Sequence, residues 1–167
     1  MSVKEALIKN KEENYGREYK NHCFEQYKMY VEMTDRISIR RQSANSFFLS
    51  VNTAIIAIVG YVQIGDTSTG YNSSFYWLVS IAGIILCYTW YRLIKSYRCL
   101  NSGKFKVIHI MEKELPLAPF DAEWEALEKG KNPKLYKPFT KVEIVVPWVF
   151  LILHSAVLFK VILHGLN

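Results

Sequence analysis

The sequence predicts an all-α integral membrane protein, with three transmembrane helices and cytoplasmic helical extensions, assembled as a homo-oligomer. Three observations carry the prediction. Charge is segregated: no Lys, Arg, Asp or Glu falls between Arg41 and Asp66, between Asp66 and Arg92, or between Glu143 and Lys160, gaps of 24, 25 and 16 residues. About 20 residues of helix cross a bilayer's hydrocarbon core, so these gaps have spanning length. The charge that remains is asymmetric about the spans. The aromatic residues of the N-terminal block recur at helical spacing.

The elements follow in order. Residues 1–41 read as a cytoplasmic amphipathic helix. They contain no Pro, and Tyr15, Tyr19, Cys23, Tyr27, Tyr30 and Val31 step by three or four residues along one face. Gly16 is expected to interrupt this pattern without ending it. Residues 42–64 form the first span, and because no breaker separates them from the preceding block, one long helix is expected to run from cytoplasm into membrane. Residues 72–92 form the second span, with Phe75, Tyr76 and Trp77 at its outer end and Tyr88, Trp90 and Tyr91 at its inner end. Residues 93–141 form a cytoplasmic helical segment that continues the second span until Leu115-Pro116 ends it. A short helix around Trp124 follows, with Asp121 as its expected cap and Gly130 as its expected stop. Residues 142–163 form the third span. Pro147 falls in its first turn, where a missing N–H costs least, and Lys160 snorkels outward.

Orientation follows from the basic residues. Residues 1–41 carry nine Lys/Arg, residues 92–141 carry eleven, and the loop Gln63–Ser74 carries none. Positive-inside counting therefore places the N-terminus and the 92–141 segment in the cytoplasm of a multi-pass inner-membrane protein. The basic loop Lys129–Lys141 is expected to touch anionic lipid. Three cysteines make neither a disulfide framework nor a zinc spacing, and the four histidines are dispersed, so no metal and no cofactor are expected. There is no G-x-S-x-G and no phosphate-binding glycine loop, so the expectation is that the chain is not an enzyme.

The first span is polar on one side. Asn45, Ser46, Ser50, Asn52, Thr53, Gly60 and Gln63 share one arc of a helical wheel. Lipid is a poor solvent for two asparagines, so this arc must meet protein or water. Two readings stand: hydrogen-bonding glue between helices, or the lining of a water-filled pore. In the pore reading the outer third of the span is an apolar collar, to which Ile56 contributes. His154 is the titratable side chain deep in the third span, at a depth similar to that of Asn52. It is either an imidazole hydrogen-bonded to Asn52 or Thr53, or a pH-sensitive gate.

The stretch Arg40–Thr53, read with Trp90, Arg92, Ser96-Tyr97-Arg98, Leu100-Asn101, Lys104-Phe105, Val107-Ile108, Glu112, Leu115-Pro116 and Trp124, resembles RipA-like small bacterial membrane proteins. The resemblance spans roughly residues 27–128. It implies an octameric inner-membrane assembly with a cytoplasmic helical vestibule. The membrane accessory protein of type VI-B CRISPR systems is similar in plan, which implies a pore that depolarises the membrane during antiviral defence, alongside a cytoplasmic RNA-targeting CRISPR effector. Arg17 and His22 also stand in an R-x4-H string that resembles the nuclease motif of HEPN domains. The string is short enough to arise by chance, and two solvated residues on a charged helix face explain it better than a membrane ribonuclease does. The expected partners are therefore further copies of the chain, anionic lipid and such an effector, with no direct nucleic-acid binding.

Overall fold

The computed structural model describes residues 2–65 and 73–165, without the side chains of residues 63–65, 73, 164 and 165. Every regular element among the described residues is helical: α1 (Val3–Leu7), α2 (Glu12–Tyr15), α3 (Tyr19–Gly65), α4 (Ser73–Glu112), α5 (Pro119–Ala126), a 3-10 turn (Glu128–Gly130), α6 (Phe139–Glu143) and α7 (Val145–Gly165). Three helical stretches are long and apolar enough to cross a membrane: Tyr19–Val62, Ser74–Glu112 and Phe139–Leu163. The chain divides into a charged unit, Met1–Arg40 with Tyr97–Pro138, and an apolar unit, Arg41–Ser96 with Phe139–Asn167.

The long helix does continue from the charged block into the first span, but it starts later than expected. Gly16 takes φ +95°, a conformation that L side chains rarely adopt, and it closes α2. The first 41 residues are therefore two short helices followed by the start of α3, not one helix. Ser2 opens α1 with a capping box: its hydroxyl accepts from Glu5 N–H at 3.2 Å, and Glu5 accepts from Ser2 N–H at 2.8 Å.

In the apolar unit the buried residues follow one rule on all three helices. On α3 the buried Phe48, Asn52 and Val59 alternate with the half-buried Arg41, Asn45, Ile55 and Val62; on α4 Tyr76, Ser80, Gly83, Cys87, Trp90 and Ile94 are buried; on α7 the buried Pro147, His154 and Val161 alternate with the half-buried Leu151 and Leu158. Steps of four and three alternate, a mean period of 3.5, the repeat that keeps a helix seam facing its neighbours. Two apolar clusters fill the seams. One holds Phe48, Trp90 and Ile94, with the Phe48 and Trp90 rings stacked at 5.8 Å and Phe150 packed against them. The other holds Val59, Tyr76 and Val161.

In the charged unit the same alternation runs through Cys23, Tyr27, Tyr30, Thr34 and Ile37 on α3, and through Tyr97, Asn101, Lys104, Ile108 and Met111 on α4. The Lys104 ammonium lies 4.4 Å from the centre of the Tyr30 ring. Glu112 is the keystone. Its side chain is fully buried, and its carboxylate accepts the Tyr27 hydroxyl at 3.1 Å, Phe120 N–H at 2.9 Å and Asp121 N–H at 3.1 Å. It thereby caps α5 from outside the helix, where Pro119 occupies the first position and Ala118 offers no side-chain acceptor. Asp121 is thus a first-turn residue, not the cap. Burial, with the Glu112 hydrogen bond and charge behind it, pushes the Tyr27 phenol up to about 12. Beyond α5, Gly130 at φ +68° turns the chain. A Cβ there would lie 3.1 Å from the Trp124 ring, which itself packs edge-on against Tyr136.

Candidate functional site

The polar arc of the first span divides in two. Asn45 and Asn52 turn into the apolar unit, whereas Ser46, Ser50 and Thr53 are exposed on the protomer's surface. The division follows from the 3.5 period: Asn45 and Asn52 are seven residues apart and share the seam with Phe48 and Val59. Ala57 continues the outward line. Ile56 is half-buried, beside the seam, and does not share that line. Gln63 is on α3, but its side chain lies outside the described residues.

Between the two apolar clusters, nearer the one at Phe48 and Trp90, lies a polar layer. Asn52 is completely buried, and its amide Nδ2–H donates to the Phe48 carbonyl at 2.8 Å. That bond fixes the amide's orientation, so Oδ1 faces inward as an acceptor. It receives Cys87 S–H at 3.2 Å and lies 3.1 Å from His154 Nε2. Because Oδ1 can only accept, the imidazole carries its proton on Nε2. Gly83 makes room for the ring: a Cβ there would sit 2.4 Å from His154 Nδ1 and Cε1. Ser80, a turn away on α4, is buried with its hydroxyl unpartnered.

A second network closes the end of the apolar unit near α6. Trp90 Nε1–H donates to Asn45 Oδ1 at 2.9 Å, and Asn45 Nδ2–H donates to Glu143 at 3.0 Å. The Arg41 guanidinium pairs with the other Glu143 oxygen and donates to Thr140 Oγ1 at 2.9 Å. Arg41 and Glu143 are both largely buried, so this ion pair is shielded from solvent far better than the surface pairs of the charged unit.

The sequence places Arg41 and Glu143 at the ends of charge-free stretches without pairing them. Each marks the same end of its own span, which is the signal that could have paired them. Gly83 carries no signal by itself, since the space beside it becomes meaningful only once the His154 ring fills it. Glu112 had a signal as well, a carboxylate on an otherwise buried helical line just ahead of Leu-Pro. Arg17 and His22 are not drawn into one constellation. Arg17 precedes α3 and has no hydrogen bond or ion pair among the described residues, while His22 Nδ1 lies 3.0 Å from the Tyr15 hydroxyl. No group of three or more His, Cys, Asp or Glu side chains among the described residues is arranged to hold a metal ion.

Three apolar spans whose buried asparagines and histidine are hydrogen-bonded inside the bundle define a multi-pass helical membrane protein. The profile of the octameric membrane protein family (8xMP) matches residues 24–163, and the chain belongs to that family. It is thus a small octameric membrane protein, and the residues of the sequence resemblance fall within the matched segment. No curated protein and no solved structure matches the chain.

Proposed function

We propose that eight copies of this chain form a pore in the bacterial inner membrane, with the charged unit in the cytoplasm, and that opening it lowers the membrane potential during antiviral defence or membrane stress. The observation that carries this reading is the outward line Ser46, Ser50, Thr53 and Ala57. These are small and mostly polar residues exposed on a membrane helix whose asparagines are already used inside the protomer. Hydroxyls turned away from the protomer's own bundle need water or another chain. In an octamer whose first spans surround the axis, they meet water. Ala57 then begins the narrower apolar collar, and Ile56 supports it from beside the seam. The chain acts without catalysis, and its partners are its own copies, anionic lipid at the Lys129–Lys141 segment, and a cytoplasmic RNA-targeting CRISPR effector of the kind the sequence resemblance implies.

The same line favours a second reading. Small residues also let helices approach closely and hydrogen-bond across their contact, so the face suits a non-conducting scaffold just as well. Flux separates the two. In cells carrying matched amounts of protein and a voltage-sensitive dye, Ser50→Leu with Thr53→Leu should abolish induced depolarisation while the octamer persists on native gels. Undiminished depolarisation by that double variant overturns the pore. Loss of the octamer itself favours the packing face. Orientation is tested by labelling intact spheroplasts: Ser68→Cys should react with an impermeant maleimide, and the exposed Cys99 should not.

A further inference from the structure

In the charged unit the inward line of α3 is bordered on each side by a second line that the protomer leaves open. Both borders repeat at the same alternation of three and four residues. One carries Gln26, Met29, Met33, Arg36 and Arg40; the other carries Phe24, Lys28, Val31 and Asp35. Val31 is half-buried and the rest are exposed. The apolar members are open to a striking degree for a helix of this charge: Met29 is 57% exposed, Met33 45% and Phe24 46%. Aligned on two borders rather than scattered, they mark contact surfaces.

The charges on the outer face between the borders are matched within the helix. Lys28 pairs with Glu25 at 2.8 Å and lies over the Phe24 ring, and Arg36 pairs with Glu32 at 2.6 Å. One charge is left on each border, Asp35 and Arg40. Both are exposed, and neither has a hydrogen bond or ion pair among the described residues. Five residues set them about 140° apart around the helix, too far round to pair with each other on one helix.

The chain belongs to an octameric family. Spans of fixed orientation exclude inverted copies, so the octamer is a ring about an axis normal to the membrane. Such a ring closes through a heterologous contact, in which two different patches of one protomer meet their complements on its neighbours. The two borders of α3 meet that requirement. They differ, each is partly apolar, and their leftover charges are opposite. The offset from Arg40 back to Asp35 is about 7.5 Å along the axis. A helical side chain leans over the turn before its own Cα, so Arg40 points towards the level of Asp35. An anionic lipid surface would accept Arg40 and repel Asp35, whereas a second copy satisfies both.

We infer that neighbouring protomers of the octamer pack α3 against α3 in the charged unit, with Met29 and Met33 facing Phe24 and Val31 of the next copy and Arg40 paired to that copy's Asp35. The inference rests on the octamer and not on the pore reading, because assembly is measured without flux.

The test exchanges the two charges in the full chain, purified in mild detergent, and follows the octamer by mass photometry on dilution. Asp35→Arg and Arg40→Asp should each raise the concentration at which half the octamer dissociates at least tenfold. The two reversals together should return it to within threefold of the unaltered chain. Cross-linking gives a readout that leaves both charges in place. Met33→Cys with Lys28→Cys repeats the five-residue offset one heptad earlier, in a chain that also carries Cys23→Ser and Cys99→Ser. A short bis-maleimide should join that variant into a ladder of covalent multiples, while either new cysteine alone yields single chains. Unchanged dissociation in both reversals overturns the inference. So does a double reversal no better than the single ones, or an intact octamer of the cysteine variant that gives no ladder.

Discussion

The charged and apolar units are built on the same 3.5-residue seam, yet they specify their packing by opposite means. In the apolar unit the outward faces, the line Ser46, Ser50 and Thr53 apart, are as apolar as the interior: Phe47, Ile58, Leu78, Ile85, Ile152 and Phe159 are all exposed. Burying one more Leu there gains little, because lipid is as good a solvent for it as a neighbouring helix. Choice of partner helix passes instead to polar contacts and close approach: Asn52 with Cys87 and His154, Asn45 with Trp90 and Glu143, and Gly83 under the imidazole. In the charged unit a buried carboxylate, Glu112, ties α3, α4 and α5 together through three hydrogen bonds. The comparison teaches that polar side chains in the two seams answer different problems. In one they select among equally apolar surfaces; in the other they terminate and join helices.

The largest break in that contrast should come at Gly83. Gly83→Leu drives its side chain into the His154 ring and should abolish octamer recovery after detergent extraction. The milder Gly83→Ala should cost about 1–3 kcal/mol, the usual penalty of overpacking. His154→Ala should relieve much of that cost, and thermal melting of the single and double variants measures the coupling. Additive losses would mean that the imidazole and Gly83 are not in contact.

Next is Glu112→Ala, which leaves two backbone N–H groups and one hydroxyl without their acceptor and should cost about 3 kcal/mol. Hydrogen exchange should quicken across residues 119–126 while the spans keep their protection. Uniform quickening throughout the chain would show that the carboxylate supports more than the charged unit.

A smaller effect concerns pH. The Tyr27 phenol titrates near 12 when folded, against about 10 when unfolded. The folded state therefore holds the proton longer, so this contribution is complete below pH 10 and is lost as pH rises towards 12. Tyr27→Phe should lower stability at neutral pH and flatten the decline between pH 10 and 12. An unchanged alkaline decline in Tyr27→Phe would assign it to other groups.

The smallest expected change is Asn52→Ala. Contacts of this kind between membrane helices average about 0.6 kcal/mol each, so losing those to Cys87 and His154 should lower stability by only about 1 kcal/mol. It should also change the imidazole's surroundings, visible as a shifted His154 nitrogen resonance in labelled protein. A loss of several kcal/mol would mean that the polar layer, rather than the apolar clusters, holds the three spans together.

Much of this architecture was legible from residue order. Charge-free runs mark spans because an unpaired charge in hydrocarbon is costly whatever the fold, and an uninterrupted pattern from Tyr19 through Val62 marks one helix because each backbone bond along it is local. Gly16 was misjudged because a lone glycine is compatible with either a helix interior or a positive-φ cap, and only the path of the chain before α3 selects between them. Asp121 was misjudged as a cap because the competing acceptor, Glu112, stands nine residues earlier, beyond any local capping rule.

The sequence by itself determined the number of spans, their helical character and a polar first span, since these depend on the solvent and on short-range hydrogen bonding. Only the tertiary structure decided which half of the polar arc faces inward. A helical wheel places Asn52 and Ser50 in the same arc, but a 3.5-residue seam shared with α4 and α7 admits Asn52 and turns Ser50 out. That choice is made by the space beside Gly83, the imidazole of His154 and the indole of Trp90, groups brought to Asn45 and Asn52 from helices 35 residues or more away along the chain.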